Sequence, residues 1–174
     1  MLLESVVLSQ LIYNEEYQRK IQPYLKADYF DNEGEKIIFG LIDHYTCEYN
    51  ARPSVEALSI MLEKTSLNEH VFEQAISALE NINDNTFHQE WLVKETESWA
   101  RQKAVHNAIK HAVNIYGDEK RKDEMNTIPT LLQEALAISF DSYLGHIYWE
   151  MAEQQYDHMN SNEAKIPFAV EIFN

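Results

Sequence analysis

His44 and Cys47 stand three residues apart, and a thiol beside an imidazole is a pairing that can make a nucleophile and its base. Here the pair falls in a tyrosine-rich helical pattern, where a lone cysteine reads as a buried, inert thiol. The other histidines are His70, His88, His106, His111, His146 and His158. His106 and His111 are five apart and diverge by more than a quarter turn on a helix, whereas metal-binding pairs prefer a spacing of four, so both read as surface residues. Asp31-Asn32-Glu33-Gly34-Glu35 lacks the alternating ligands and the distant glutamate of a calcium loop and reads as a turn opening a helix. The four glycines (Gly34, Gly40, Gly117, Gly145) are too dispersed to cradle a phosphate, and no G-x-x-x-x-G-K-[ST] stretch occurs. The densest cation cluster, Lys120-Arg121-Lys122, is bracketed by Asp118, Glu119, Asp123 and Glu124, which cancel its field. No residue of this chain is assigned a catalytic, cofactor-binding or metal-binding role.

What remains is surface for gripping other protein. The chain has 174 residues, 45% of them apolar, which supports a real core. Four glycines and four prolines are few, and sheets need turns that use them, so an all-α fold is expected. Acidic residues outnumber basic ones 29 to 14, for a net charge of -15. A polyanion such as DNA is bound mainly through Lys and Arg, so this charge favours a solvated surface or a basic protein partner. One cysteine makes no internal disulfide. No stretch reaches the roughly 20 apolar residues of a membrane span, and the N-terminus carries Glu4 where a signal peptide is basic, so a cytoplasmic location is expected.

The apolar spacing predicts a helical globule over residues 1–83. Leu3, Val7 and Leu11, joined by Val6, form a stripe over Leu2 to Tyr13, and a short helix follows from Asn14 to about Gln22, before Pro23. Ile38, Leu41, Ile42, Tyr45 and Tyr49 mark a helix from Glu35 to Tyr49. Ser54 caps the next helix, and Ser66 with Glu69 has the spacing of a capping box ahead of a helix that buries Phe72, Ala75, Ile76 and Leu79.

Residues 84–142 read as an αα-hairpin around the charged tip. Its first arm runs from about His88 to Tyr116, with Gly117 as the stop. Ala100, Ala104, Ala108 and Ala112 recur every four residues, a row that admits close approach of another helix, with Val105, Ile109 and Val113 beside them. The second arm opens at Pro129, with Leu131, Leu132, Ala135 and Leu136 in its stripe. The hairpin folds back on the globule over part of its surface, and its outer half is expected to pack on a second copy. Trp91, Trp99 and Tyr116, large aromatics on a polar helix, favour an interface. The expected interface set is Trp99, Ala100, Ala104, Val105, Ala108, Ile109, Ala112, Leu131, Leu132, Ala135 and Leu136.

Residues 143–165 hold a separate amphipathic helix, about Ile147 to Asn160. Tyr148, Met151, Ala152, Gln155, Tyr156 and Met159 make one face of it. That face either docks elsewhere as a linker or packs on its own domain, and the spacing does not choose. Residues 166–174, containing KIPFAVEIF, read as a first strand without a sheet, as at a fragment boundary.

LSQLIYNEEY, PYLKADYF, PSVEAL, EWLVKETESW, LLQEALAISFDSYLGH and KIPFAVEIFN, spread along the whole chain, resemble the N-terminal region of DnaB-type replicative DNA helicases, most closely the T-even phage branch. WLVKETE and ALAISFDSYLGH are long enough to be specific. The resemblance implies that residues 1–83 are the family's N-terminal globule and that the hairpin pairs neighbouring subunits in a hexamer's collar. It implies that the late helix is the linker that docks on an adjacent motor, and that the tail enters a motor domain cut short at residue 174. The parent would use ATP or GTP with Mg, bind DNA and move 5′ to 3′, recruiting primase and a loader in the host cytoplasm. No cofactor and no membrane is expected for this segment. Three rivals stand beside it: a stand-alone acidic helical adaptor, a small enzyme using His44 and Cys47, and a primase-binding module that does not self-associate.

Overall fold

The computed structural model describes residues 2–140, and all regular structure among them is helical. The described residues belong to one compact unit, residues 1–140. The expected linker helix, with Tyr148, Met151, Ala152, Gln155, Tyr156 and Met159, and the tail after it lie outside the described residues.

The globule has five helices: α1 Leu2–Tyr13, α2 Glu15–Ile21, α3 Glu33–Tyr49, α4 Val55–Glu63 and α5 Glu69–Glu80. Short polar side chains start most of them. Asn14 accepts from Tyr17 N at 3.0 Å, Ser54 from Ala57 N at 3.2 Å, and Asn32 from Gly34 N and Glu35 N at 2.8 and 3.2 Å. Because Asn32 caps it, α3 starts at Glu33, two residues ahead of the expected Glu35. The expected capping box of Ser66 and Glu69 does not form. Asn68 is the cap, accepting from Val71 N at 2.8 Å, because its carboxamide stands directly before the first helical residue.

Helix α3 lies between α1, α4 and α5 in the core. Residues 7–12 of α1 are all buried, so α1 is covered all round and not along one stripe. Tyr17 and Ile21 of α2, Ile38, Phe39 and Ile42 of α3, Leu58 and Leu62 of α4, and Ala75 and Leu79 of α5 share one buried cluster with α1. The expected stripe of α3 ends early. Tyr45 is half-buried and Tyr49 is 58% exposed, because α3 runs past the elements that cover it. Helices α3 and α5 meet closest at Gly34, where an added Cβ would collide with the backbone of Gln74 and Ala75.

The chain then runs along α1, where Gln10 Nε2 donates to Asn85 O at 2.7 Å and Asn83 N to Ser9 Oγ at 3.3 Å. It enters α6, Gln89–Gly117, of 29 residues. Tight 3-10 turns over Glu119–Thr127 reverse it into α7, Ile128–Leu136, of nine residues, with Pro129 in the first turn as expected. The fold class read from sequence, all-α, holds across the described residues. Gly34→Ala is expected to destabilise the chain by about 2 kcal/mol through forced separation of α3 and α5, read as a lower urea midpoint; an unchanged midpoint would show that the two helices part freely.

Candidate functional site

The long helix α6 is held to the globule by its first half. Leu92, Val93, Thr96, Ala100 and Ala104 are buried. Tyr17 and Thr96 share a buried hydrogen bond of 2.7 Å, and burial pushes the Tyr17 phenol well above its usual range. The segment YLKADYF forms the seat. Its 3-10 turn Ala27–Tyr29 presents Tyr29 and Phe30, against which Trp99 packs edge-on at 6.3 and 5.3 Å. Asn107 Nδ2 donates to Asp28 O at 2.9 Å one turn further out.

The strongest polar tie is Lys103. Its ammonium lies 3.2 Å from Glu4, itself almost wholly buried in α1, and donates to Asp31 at the start of α3. Burial works against the lysine's charge, but the hydrogen bonds it donates to Asp31 and Glu4 outweigh it and its pKa rises. The Lys103 hydrogen bond also holds the Asp31 carboxyl below the usual range. Next to Glu4, Glu35 accepts from Ser5 Oγ at 2.9 Å. Its pKa is raised, first by burial and further by the charge of Glu4, the Ser5 hydrogen bond opposing.

Beyond this seat Ile115 is still buried, but the opposite face of the helix is open. Ile109 is 50% exposed, Val113 63% and Tyr116 77%. Val105, Ile109, Ala112 and Tyr116 follow at steps of 4, 3 and 4, the spacing of a helix–helix seam. On α7, Leu136 is 62% exposed and lies one turn past half-buried Leu132. The end of α7 is tied back by Arg101, whose guanidinium donates to Ile138 O at 2.9 and 3.0 Å and pairs with Glu97.

The expected interface residues therefore divide. Ala100, Ala104, Ala108 and Ala135 are covered by the chain's own residues, so these alanines of the row serve the close approach of α6 to its own unit. Trp99, Val105, Ala112, Leu131 and Leu132 are half-buried, with Trp99 engaged on Tyr29 and Phe30. Ile109 and Leu136 are open. Val113, placed beside the alanine row, and Tyr116, named as an aromatic that favours an interface, were left out of the expected set and extend the open stripe.

The residues with chemical potential are scattered. Cys47 is exposed, contrary to the expected buried thiol, because it sits on the last turns of α3 with Tyr49. His44 faces Glu48 at 3.4 Å. His106 and His111 are exposed, and His111 lies 3.2 Å from the Arg121 guanidinium. Arg121 itself pairs with Glu124 at 2.6 Å, so its charge is neutralised locally. Among the described residues no group of three or more His, Cys, Asp or Glu is placed to hold a metal ion, and no helix is long and apolar enough to cross a membrane.

No family model matches the chain. It is 33% identical, over 97% of its length, to a DnaB-like replicative helicase of Enterobacteria phage T4. The chain spans 37% of that relative's length.

Two outcomes follow from the polar seat. Lys103→Met removes the ammonium beside Asp31 and buried Glu4 and is expected to cost about 3 kcal/mol, read from urea unfolding; a loss within error of zero would mean that this ion pair does not hold α6 to the globule. For Glu35, a raised folded pKa favours folding below its ordinary value of 4.5, and that contribution is lost as pH rises through the raised value. Glu35→Gln should therefore raise the melting temperature at about pH 7 and leave it nearly unchanged at about pH 4. An equal gain at both pH values would contradict the assignment.

Proposed function

We propose that this chain, a relative of the DnaB-like replicative helicases, is the N-terminal collar and linker of a ring-forming helicase. On this reading it joins neighbouring subunits and recruits primase and a loader during DNA replication. The intact protein would be an NTP-driven hexamer working 5′ to 3′ in the host cytoplasm, its nucleotide and Mg site lying in a motor outside this sequence.

The observation that carries the reading is the outer stripe of α6. A chain of net charge -15 repels its own copies unless the contact is locally free of carboxylates. Residues 99–117 contain no Asp or Glu, and the same segment holds Val105, Ile109, Ala112, Val113 and Tyr116. A two-fold contact presents one patch twice, so a carboxylate-free apolar seam is the part of this molecule best suited to it. The similarity to a replicative helicase supports the reading at the level of the parent protein. A stable pair needs on the order of 1,000 Å² buried, which the outer α6 stripe with Leu132 and Leu136 would have to supply.

Sedimentation equilibrium on the chain tests it. Self-association is expected, with Val113→Asp and Tyr116→Asp each weakening it by about tenfold or more, since each places a charge in a desolvated contact. Both side chains are exposed in the single chain, so melting should change little. A monomeric wild-type chain, or variants that associate as before, would remove the proposal.

A further inference from the structure

A second apolar surface lies on the globule. Helices α3 and α4 border a groove of about 450 Å³ floored by Tyr45, Tyr49, Ile60 and Met61. Tyr49 is 58% exposed and Ile60 54%. The rings of Tyr45 and Tyr49 pack against each other at 4.7 Å, so the aromatic pair is already ordered. Ala57, Ile60 and Met61 are spaced three and four apart on α4, giving a small-then-large ridge beside the tyrosines.

The rim is acidic. Glu48 lines the groove beside Tyr49, and its carboxylate, hydrogen-bonded to the Tyr49 hydroxyl, pushes that phenol up. Glu56 and Glu63 flank Ile60 at four residues before and three after it. Lys64, one turn past Ile60, is the cation at that end, and Arg52 is drawn off to Ile12 O and Glu15. A second copy would bring the same acidic rim to the contact, so self-pairing here sets like charges together. A partner with cations around an apolar stripe meets both features at once.

We infer that the groove between α3 and α4 docks a basic amphipathic helix of a partner protein, its apolar stripe on Tyr45, Tyr49, Ile60 and Met61 and its Lys or Arg residues on Glu48, Glu56 and Glu63. A groove between two helices accepts the ridge of a third, and the nine residues of α4 limit the contact to about three helical turns. So short a contact suits recruitment that forms and releases. The inference deepens the recruitment step of the proposal above, and it is independent of hairpin pairing.

The probe is a synthetic leucine–lysine amphipathic helix of about 18 residues, fluorescently labelled and titrated against the chain by anisotropy. A second peptide carries the same leucines with glutamates in place of the lysines. Binding of the basic peptide is expected with Kd at or below about 100 μM, weakening with added salt, and no binding of the acidic one. Ile60→Asp, and separately Glu48→Lys with Glu56→Lys and Glu63→Lys, should each weaken it about tenfold or more, while the melting curves stay close to wild type because these side chains are exposed. Val113→Asp should leave peptide binding unchanged, which separates failure of this docking from failure of hairpin pairing. Equal binding to all variants, no binding of the basic peptide, equal binding of the acidic one, or a fall in the mass of the chain on Ile60→Asp would each overturn the inference.

Discussion

A helix of 29 residues rises about 43 Å, and nothing else in the described unit is long enough to cover it. Its hairpin partner α7 has nine residues, about 13 Å. The globule can therefore hold one half of α6, and the other half must stand out beside a short return arm. That mismatch of length decides where apolar surface is hidden and where it is left open. Ala100, Ala104 and Ala108 disappear into the unit, while Ile109, Val113 and Tyr116 do not.

Such an arm is useful only if its root is fixed, and the root combines two kinds of contact. Trp99 on Tyr29 and Phe30 supplies apolar area, and Lys103 between Glu4 and Asp31 supplies register, since one ammonium meets carboxylates from two helix regions at once. Electrostatics divides the labour of the surfaces. Exposed acidic groups stand beside the α3–α4 groove, and residues 99–117 of α6 carry none, so like-charge repulsion between copies would be weaker at the second surface than at the first.

Much of this was legible in the residues before folding. Apolar periodicity marked α1, α3, α5, α6 and α7, Pro23 and the Ser54 cap marked α2 and α4, and Pro129 marked the start of the return arm. What was misread shares one cause, which is that local patterns do not say what stands opposite. The spacing of Ser66 and Glu69 suggested a capping box, and Asn68, standing directly before the first turn, took the cap instead. The Tyr45–Tyr49 stripe continued past the point where α3 is covered, and that also left Cys47 in the open. The alanine row announced close approach without naming the neighbour, which is the chain's own unit. Lys103 gave no signal at all, because Glu4 and Asp31 lie far from it in sequence and a lone lysine on a helix looks solvated.

The central claim is that the two halves of α6 have different neighbours: its own globule for one, another copy for the other. Amide hydrogen exchange measured across a range of protein concentrations tests this directly. The account predicts that amides of residues 105–116 gain protection as concentration rises, while those of residues 92–104 are protected throughout and do not change. Protection of the outer half that is independent of concentration, or a rise shared equally by both halves, would contradict it.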